Sequence, residues 1–288
     1  MANQLILLVK PTVERFPKLA MTYRYVRDWW ATCEEPQETK MGFKLLGSKA
    51  MRDGEFEPEE TAIVKRLLPS VDMVINVGAN VGYYCCIALS QGKNVIAFEP
   101  VTLNLRCLLK NVKANKWLSR LELHPVAVTD KVGVVDIYGS GSGASLVRGW
   151  AGNPEGHVKS VASTTLDTAL GRRFQGKECL VIVDVEGAEQ LVLEGASLIL
   201  GMRPKPIWMT EVVIAEHQPK GVTINPSLSS TFNLFWSHGY EAWTADARCR
   251  RVDPDEIREI VRSGSSTLDT HNFLFIEKGK KQEFLSTS

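Results

Sequence analysis

The sequence predicts an α/β fold in which helices cover both faces of a mostly parallel sheet of seven strands. Two observations support this class. From residue 71 onward, short apolar runs rich in β-branched residues alternate with helical patterns, which is typical of a parallel sheet wrapped by helices. A turn containing two glycines also joins the first of these runs to a helix, as in α/β sheets that bind ligands at the carboxyl ends of their strands.

The predicted strands are short runs bounded by turn residues. They cover residues 72–77, 94–98, 121–128, 180–185, 207–213, 240–244 and 272–277. Only a short helix and a loop join the last two strands, which allows one of them to run antiparallel at the sheet edge.

Helical patterns fill the gaps between the strands. They cover residues 81–91, 100–114, 187–200, 227–237 and 254–262. Asp253 is placed to cap the last helix, and Pro254 occupies its first position, where the missing N–H costs nothing. Residues 71–277 are therefore predicted to form one domain, followed by a polar tail at 278–288.

The first 70 residues are predicted to form an N-terminal helix and hairpin extension. An apolar stripe at spacings of three and four predicts one helix face that packs on the core or serves as a lid or dimer contact. Its members are Phe16, Leu19, Tyr23, Val26 and Trp30. Residues 43–57 are predicted to form a β-hairpin that turns at Asp53-Gly54 or Gly47-Ser48, before a helix over 58–68.

Composition and charge exclude several classes of protein. The 288 residues hold 34 Lys and Arg against 33 Asp and Glu, without the basic excess that broad nucleic-acid binding requires. The longest apolar run near the N-terminus, Leu5 to Val9, is far shorter than the roughly 18 residues of a membrane span. We therefore expect a cytoplasmic monomer or homodimer whose six cysteines are buried, reduced thiols and not metal ligands.

The strongest local signal is the turn after the first strand. The segment Val74 to Tyr83 reads VINVGANVGY, so an apolar strand runs through Gly78 and Gly82 into a helix whose N-terminus faces a ligand. Glu99 closes the second strand 21 positions after Gly78, where an acidic residue accepts hydrogen bonds from ribose hydroxyls. Together these features predict a nucleoside cofactor.

The glycine pattern decides between nucleoside cofactors. A dinucleotide fingerprint requires G-x-G-x-x-G, but this chain has Asn80 and Tyr83 at the second and third glycine positions. The second glycine lets the backbone approach a pyrophosphate. Its replacement argues against NAD or FAD and favours a cofactor without a pyrophosphate, such as S-adenosyl-L-methionine (SAM).

The sequence resembles the FkbM family of SAM-dependent methyltransferases. The likeness runs from about residue 52 to 245 and is carried by residues 74–83, Ala97 to Pro100 with Asn104, Leu108, Asn111 and Asn115, Ala127 to Asp130, Thr165 to Asp167, and Val183 to Glu189. It implies a class I, Rossmann-like methyltransferase fold and O-methylation of hydroxyls on sugars, glycolipids or polyketide-type metabolites. By carry-over, Gly78, Asn80, Gly82, Glu99 and Asn104 line the cofactor site, with Val128 and Asp130 near the adenine and Asp184 at the reaction centre.

One position departs from the family pattern. The family commonly carries an acidic residue where this chain has Asn76 at the end of the first strand. We expect Asn76 at the cofactor site, where its amide offers only a carbonyl to the ammonium group of the methionine moiety. This departure keeps open a non-catalytic SAM-binding protein as an alternative.

A second group of candidates is acidic. Asp184 ends the fourth strand on the same sheet edge as Gly78, and Glu186 and Glu189 lie three apart in the first turn of the next helix. Asp184 is the predicted base or acceptor-orienting residue, with His217 as the other candidate base. Capping and helix-dipole stabilisation are the structural alternative for these carboxylates, above all for Glu189.

The acceptor contacts are expected in three places. Glu186 and Glu211 lie at the active edge, with burial behind a hydrogen bond as the alternative for Glu211. Residues 139–156, rich in Gly and Ser, form a loop that is either a lid or a plain connection, and Ser145 within it is a third substrate candidate. Carboxylates and a His at one edge are also compatible with a divalent ion, but no dense ligand spacing supports a metal site.

The prediction is therefore a SAM-dependent O-methyltransferase that acts on a hydroxyl of a small metabolite, sugar or glycan and releases S-adenosyl-L-homocysteine. The chain has Asp184-Val185-Glu186-Gly187 in place of the Asn/Asp-Pro-Pro-Tyr/Phe segment typical of enzymes that methylate planar nitrogens. The alternatives are an NAD(P)-dependent oxidoreductase and the non-catalytic SAM-binding protein.

Overall fold

The computed structural model describes residues 33–154 and 156–280. The predicted aromatic stripe at 16–30 and most of the predicted polar tail lie outside these residues. Eight strands form the large sheet, and seven of them correspond to the predicted ones. They are β3 (Met73–Val77), β4 (Asn94–Phe98), β5 (Leu121–His124), β9 (Cys179–Val183), β10 (Ile207–Glu211), β11 (Tyr240–Thr244), β12 (Arg251–Val252) and β13 (Asn272–Glu277).

The order of strands across the sheet is β12-β11-β13-β10-β9-β3-β4-β5. The central strands pair in parallel, and β13 is antiparallel to both β10 and β11. The predicted Rossmann-like α/β class is confirmed, but the antiparallel strand lies inside the sheet and not at its edge. The almost wholly buried sequence of β13 suits such an interior position, and the edge belongs to the short, unpredicted β12.

The helices pack on both faces of this sheet and divide its core into two apolar layers. They are α1 (Lys49–Asp53), α2 (Pro58–Leu67), α3 (Tyr83–Ser90), α4 (Thr102–Ala114), α5 (Leu166–Leu170), α6 (Glu189–Glu194), α7 (Ser197–Leu200), α8 (Leu228–Ser237) and α9 (Pro254–Ser263). The predicted helix over 187–200 is therefore two helices. Asp253 holds the N-cap position of α9, though its side chain makes no capping hydrogen bond.

A second, three-stranded sheet was not predicted. It contains β6 (Ala127–Val128), β7 (Gly133–Tyr138) and β8 (Val158–Thr164), with β8 in the middle. The predicted strand over 121–128 is divided between the two sheets, because Pro125 has no N–H with which to continue the first ladder. The 139–156 segment connects β7 to β8 and contains two 3₁₀ turns.

The predicted hairpin over 43–57 is wrong in its bounds. The hairpin lies earlier, where β1 (Gln37–Glu38) pairs with β2 (Lys44–Leu45). Residues 49–53 form α1, because Ser48 caps its N-terminus by accepting from the Met51 N–H, and Gly54 ends it in the left-handed conformation. Asp53-Gly54 is thus a helix end and not a hairpin turn.

Four of the six cysteines are buried, while Cys33 is exposed and Cys249 is half-buried. Within the described ranges, no helix is long and apolar enough to cross a membrane.

Candidate active site

The turn after β3 touches the segment after β9 at backbone level. Gly78 has a φ of +81°, and a Cβ atom on it would lie 1.7 Å from the carbonyl oxygen of Asp184. The Asp184 N–H in turn donates to the Val77 carbonyl at 3.0 Å. Only glycine permits this approach, so Gly78 fixes the distance between the turn and Asp184.

Glu99 is held behind the turn by three donors. Its carboxylate accepts from the backbone N–H of Asn80 and of Val101, both at 2.7 Å, and from Asn104 Nδ2 at 3.4 Å. Burial raises the pKa of Glu99 to about 7, although these hydrogen bonds oppose the rise. Oε1 accepts from both Val101 and Asn104, whereas Oε2 accepts only from Asn80 and keeps a lone pair for a ligand hydroxyl.

A cavity opens at this edge of the sheet. It has both polar and apolar walls. The predicted site residues among its lining are Gly78, Asn80, Glu99, Asn104, Val128, Asp184 and Glu186. The structure therefore brings together seven predicted residues from four separate segments of the chain.

The 139–156 segment forms one wall of the cavity through Gly141, Ser142, Ala144 and Leu146. Asn104 Nδ2 donates to the Gly141 carbonyl at 3.2 Å. Ser145 is buried and donates its hydroxyl to the Glu186 carbonyl, and Trp150 Nε1 donates to Glu186 Oε2 at 2.8 Å. Ser145 thus anchors the wall from behind, and its side chain is not among those that line the cavity.

Three predicted cofactor residues lie outside the cavity. Asn76 is buried in β3, where its Nδ2 donates to Cys85 Sγ at 3.4 Å. Gly82 has a φ of +85° and packs on α4, where a Cβ would meet Leu108 Cγ at 2.8 Å. Asp130 is exposed and borders a separate surface groove.

Asp184 and Glu211 form a hydrogen-bonded pair of carboxyl groups at the ends of neighbouring strands. Burial raises the pKa of both groups, and the charge of Asp184 raises that of Glu211 further, well above its usual range. The hydrogen bond lowers the pKa of Asp184 and raises that of Glu211. Glu211 therefore holds the shared proton, and Asp184 accepts it.

Further carboxylates surround this pair. Burial raises the pKa of Glu57, Glu186 and Glu189 to about 7 in each case. Glu57 precedes α2 and accepts from the Tyr84 hydroxyl at 2.5 Å. Glu189 accepts from the Gly187 N–H at 3.0 Å, which matches the capping alternative and not a ligand contact.

His217 does not reach the cavity. Its side chain is exposed, and its ring stacks on Trp150 with 6.1 Å between the ring centroids. His271 is the imidazole at the carboxyl pair instead, with Nε2 3.4 Å from Glu211 Oε1.

Sequence reasoning missed Glu57, Trp150 and His271. His271 could have been found only from the direction of β13, because an antiparallel strand brings its first residues to the edge where parallel strands end. No local pattern marks Glu57 or Trp150. Among the residues that the structure covers, no group of three or more His, Cys, Asp or Glu side chains is arranged to hold a metal ion.

A family model described as the methyltransferase FkbM domain matches residues 76–242. The match covers 167 of the 288 residues. The solved structure of an FkbM methyltransferase from Methylobacillus flagellatus KT shares 16% identity with a TM-score of 0.41, over 72% of this chain and 44% of that one. The chain thus spans less than half the length of that protein.

Two further solved structures are similar at a comparable level. A SAM-dependent O-methyltransferase from Thermotoga maritima shares 12% identity, with a TM-score of 0.40, over 84% of this chain and 76% of that one. A putative O-methyltransferase from Klebsiella pneumoniae shares 10% identity, with a TM-score of 0.40, over 77% and 80%. No curated protein matches the sequence.

Proposed function

The chain belongs to the FkbM methyltransferase family, and from this premise we propose that it transfers a methyl group from SAM to a hydroxyl of a small metabolite, sugar or glycan. One observation carries the proposal. A single cavity contains the Gly78 turn, the Glu99 carboxylate and Asp184. These groups supply a cofactor cradle, a ribose acceptor and a proton acceptor in one cavity.

The residues present fit SAM. Glu99 is a buried carboxylate whose Oε2 keeps a lone pair for a ribose hydroxyl. Phe98 and Val128 give the cavity apolar walls suited to an adenine ring. Gly78 lets the turn approach the Asp184 carbonyl so closely that any Cβ would overlap it.

When bound, SAM supplies a methyl group on a sulfonium that is an excellent leaving group. The protein's task is to align the acceptor and to remove its proton. Asp184 is the hydrogen-bond acceptor of the carboxyl pair and faces the cavity. We assign to it the removal or orientation of the hydroxyl proton. Glu186 on the same wall is positioned to hold the acceptor.

The oxidoreductase alternative is disfavoured at Asn80. A pyrophosphate-binding turn offers free backbone N–H groups, but the Asn80 N–H already donates to Glu99. The argument for a non-catalytic protein rested on Asn76 as a cofactor contact. Because Asn76 donates to Cys85 and is absent from the cavity wall, its amide gives no reason to expect weak SAM binding.

We also propose the organisation that the sequence suggests: an extension over 1–70, a catalytic domain over 71–277 and a tail over 278–288. The working hypothesis is a cytoplasmic monomer or homodimer. Size-exclusion chromatography with light scattering tests the oligomeric state directly.

The proposed function is tested with methyl-labelled SAM and a panel of hydroxyl acceptors that includes sugars, glycolipids and polyketide-type metabolites. We expect label to appear in an acceptor, and calorimetric titration to show binding of SAM and none of NADH. NADH binding without SAM binding would overturn the proposal.

A further inference from the structure

Three titratable side chains connect the floor of the cavity to the protein surface. Asp184 lines the cavity and accepts a hydrogen bond from Glu211. Glu211 Oε1 lies 3.4 Å from His271 Nε2, and the His271 side chain is about half exposed, at 50%. The chain of contacts therefore begins at the predicted reaction centre and ends in solvent.

The backbone fixes this arrangement. Glu211 is the last residue of β10, and its Cα pairs with that of Asn272 at the start of the antiparallel β13. The Val212 N–H donates to the His271 carbonyl at 2.6 Å. Hydrogen bonds between the end of β10 and the start of β13 thus set the backbone positions of both residues.

The charges around the Asp184–Glu211 pair favour proton transfer from the pair towards His271. Glu57, Glu186 and Glu189 all interact electrostatically with Asp184 or Glu211, and Glu60 accepts from Asn272 Nδ2 nearby. None of these neighbours is a basic side chain that could receive a second proton from the Asp184–Glu211 pair. Within residues 33–154 and 156–280, His271 is the basic group in direct contact with Glu211 that can accept it.

We propose that Glu211 and His271 form a proton exit from the reaction centre to solvent. Asp184 takes the proton from the acceptor hydroxyl while the oxygen gains its methyl group. Glu211 then gives its own proton to His271 Nε2, the proton on Asp184 becomes the shared one, and the imidazolium loses one proton to water. One proton enters and one leaves, so the pair returns to its starting state.

The inference rests on the proposed function. It gives Glu211 a role different from the predicted one and puts His271 in place of His217 as the imidazole at the site. Glu211 was predicted as a substrate contact, and His217 as a candidate base. In the exit, Glu211 acts through Asp184, and His271 acts through Glu211, so neither needs to touch the acceptor. His217 stacks on Trp150 instead.

The test has an arm that needs no acceptor. In protein labelled with ¹⁵N at histidine, we expect the Glu211→Gln substitution to change the ring ¹⁵N chemical shifts of His271, because an amide replaces the carboxyl group that lies 3.4 Å from Nε2. His238 serves as the internal control, since its ring bonds the Leu234 carbonyl at 2.7 Å in another part of the fold. Ring chemical shifts of His271 that are unchanged by Glu211→Gln would overturn the proton exit.

The second arm measures turnover with an acceptor from the screen described above. His271→Ala should lower kcat about 100-fold, at the lower end of the range of proton-transfer contributions, and added imidazole should restore it. His238→Ala should keep the wild-type rate and show no response to imidazole. A His271→Ala enzyme with wild-type kcat, or one that folds and binds SAM but is not rescued by imidazole, would contradict the exit.

The two proposals fail in different ways. Absence of methyl transfer by the wild-type protein would contradict the proposed function, while the NMR arm would still test the coupling of Glu211 to His271. Normal turnover of His271→Ala together with unchanged His271 ring chemical shifts in Glu211→Gln would contradict only the proton exit.

Discussion

The indole of Trp150 lies against Gly187 so closely that a Cβ atom on the glycine would come within 2.5 Å of ring carbon Cζ3. Trp150 is 1% exposed, and Gly187 has a φ of +94°. The same indole donates to Glu186. One side chain therefore joins the 139–156 wall to the segment after β9.

Gly187→Ala should displace the 139–156 wall from the candidate active site. We expect a loss of stability of about 1–3 kcal/mol from the overlap and the left-handed backbone, together with weaker SAM binding. Thermal unfolding and calorimetric titration measure the two effects. Gly221→Ala is the matched control, because Gly221 has a φ of +90° but no atom within 4 Å of its Cβ position. Equal losses in both variants would show that backbone strain alone is responsible.

Glu99→Gln should weaken SAM binding roughly 10- to 100-fold, because it replaces charge-assisted hydrogen bonds with neutral ones. Two backbone donors, the N–H groups of Asn80 and Val101, face this side chain, and a glutamine amide can satisfy only one of them. A loss of stability is therefore expected as well, and thermal unfolding separates it from binding. The exposed Glu194→Gln should change neither quantity. Undiminished affinity in Glu99→Gln would remove Glu99 from the cofactor site.

Asp184→Asn should lower methyl transfer at least 100-fold while SAM affinity stays within a few fold, because the amide keeps the shape but cannot accept the acceptor proton. Initial rates with labelled SAM, compared with calorimetric affinities, provide the measurement. Glu189→Gln is the control, since that side chain caps a backbone N–H. Full activity of Asp184→Asn would exclude Asp184 as the proton acceptor.

Buried carboxyl groups should make the protein less stable as pH rises from about 4.5 to about 7. Glu99 and Glu189 have pKa values raised to about 7 by burial, so in this window the folded state holds protons that the unfolded state has lost. Each group then contributes roughly 1–3 kcal/mol of stability at pH 5 that is lost by pH 8. Urea unfolding at a series of pH values measures this slope.

An increase of stability with rising pH is expected only at lower pH. Asp246 and Glu256 have lowered pKa values, the first through hydrogen bonds that outweigh its burial and the second chiefly through its hydrogen bond with Arg250. Their stabilising effect is lost only as pH falls below the unfolded pKa near 4.

Glu189→Gln should reduce the loss of stability between pH 5 and 7. A wild-type dependence of stability on pH in this variant would contradict the assignment of that loss to Glu189.

The sequence predicted the parts of the fold that depend on local pattern. All strands of the large sheet except β12 follow from their apolar runs, and the turn at Gly78 follows from its glycines. The interior position of β13 did not follow, because strand order depends on pairing between distant segments. The small sheet was missed because β7 and β8 are mostly exposed and lack a strong apolar signal.

The residues of the candidate site likewise fall into those that the local sequence predicts and those that it does not. Gly78, Glu99 and Asp184 end strands or follow them directly, so their shared edge was predictable. Asn76 was misplaced because the alternation of a strand sends its side chain to α3, where Cys85 receives it. His271 and Glu57 reach the site only through tertiary structure.

The place of β13 in the chain separates the cavity from the proposed proton exit in the order of synthesis. Every residue that lines the cavity lies between positions 77 and 186, whereas His271 directly precedes β13, the strand that lies between β10 and β11. A chain truncated before His271 would keep the residues that line the cavity and lose the proposed exit. We therefore expect such a chain to lack full turnover.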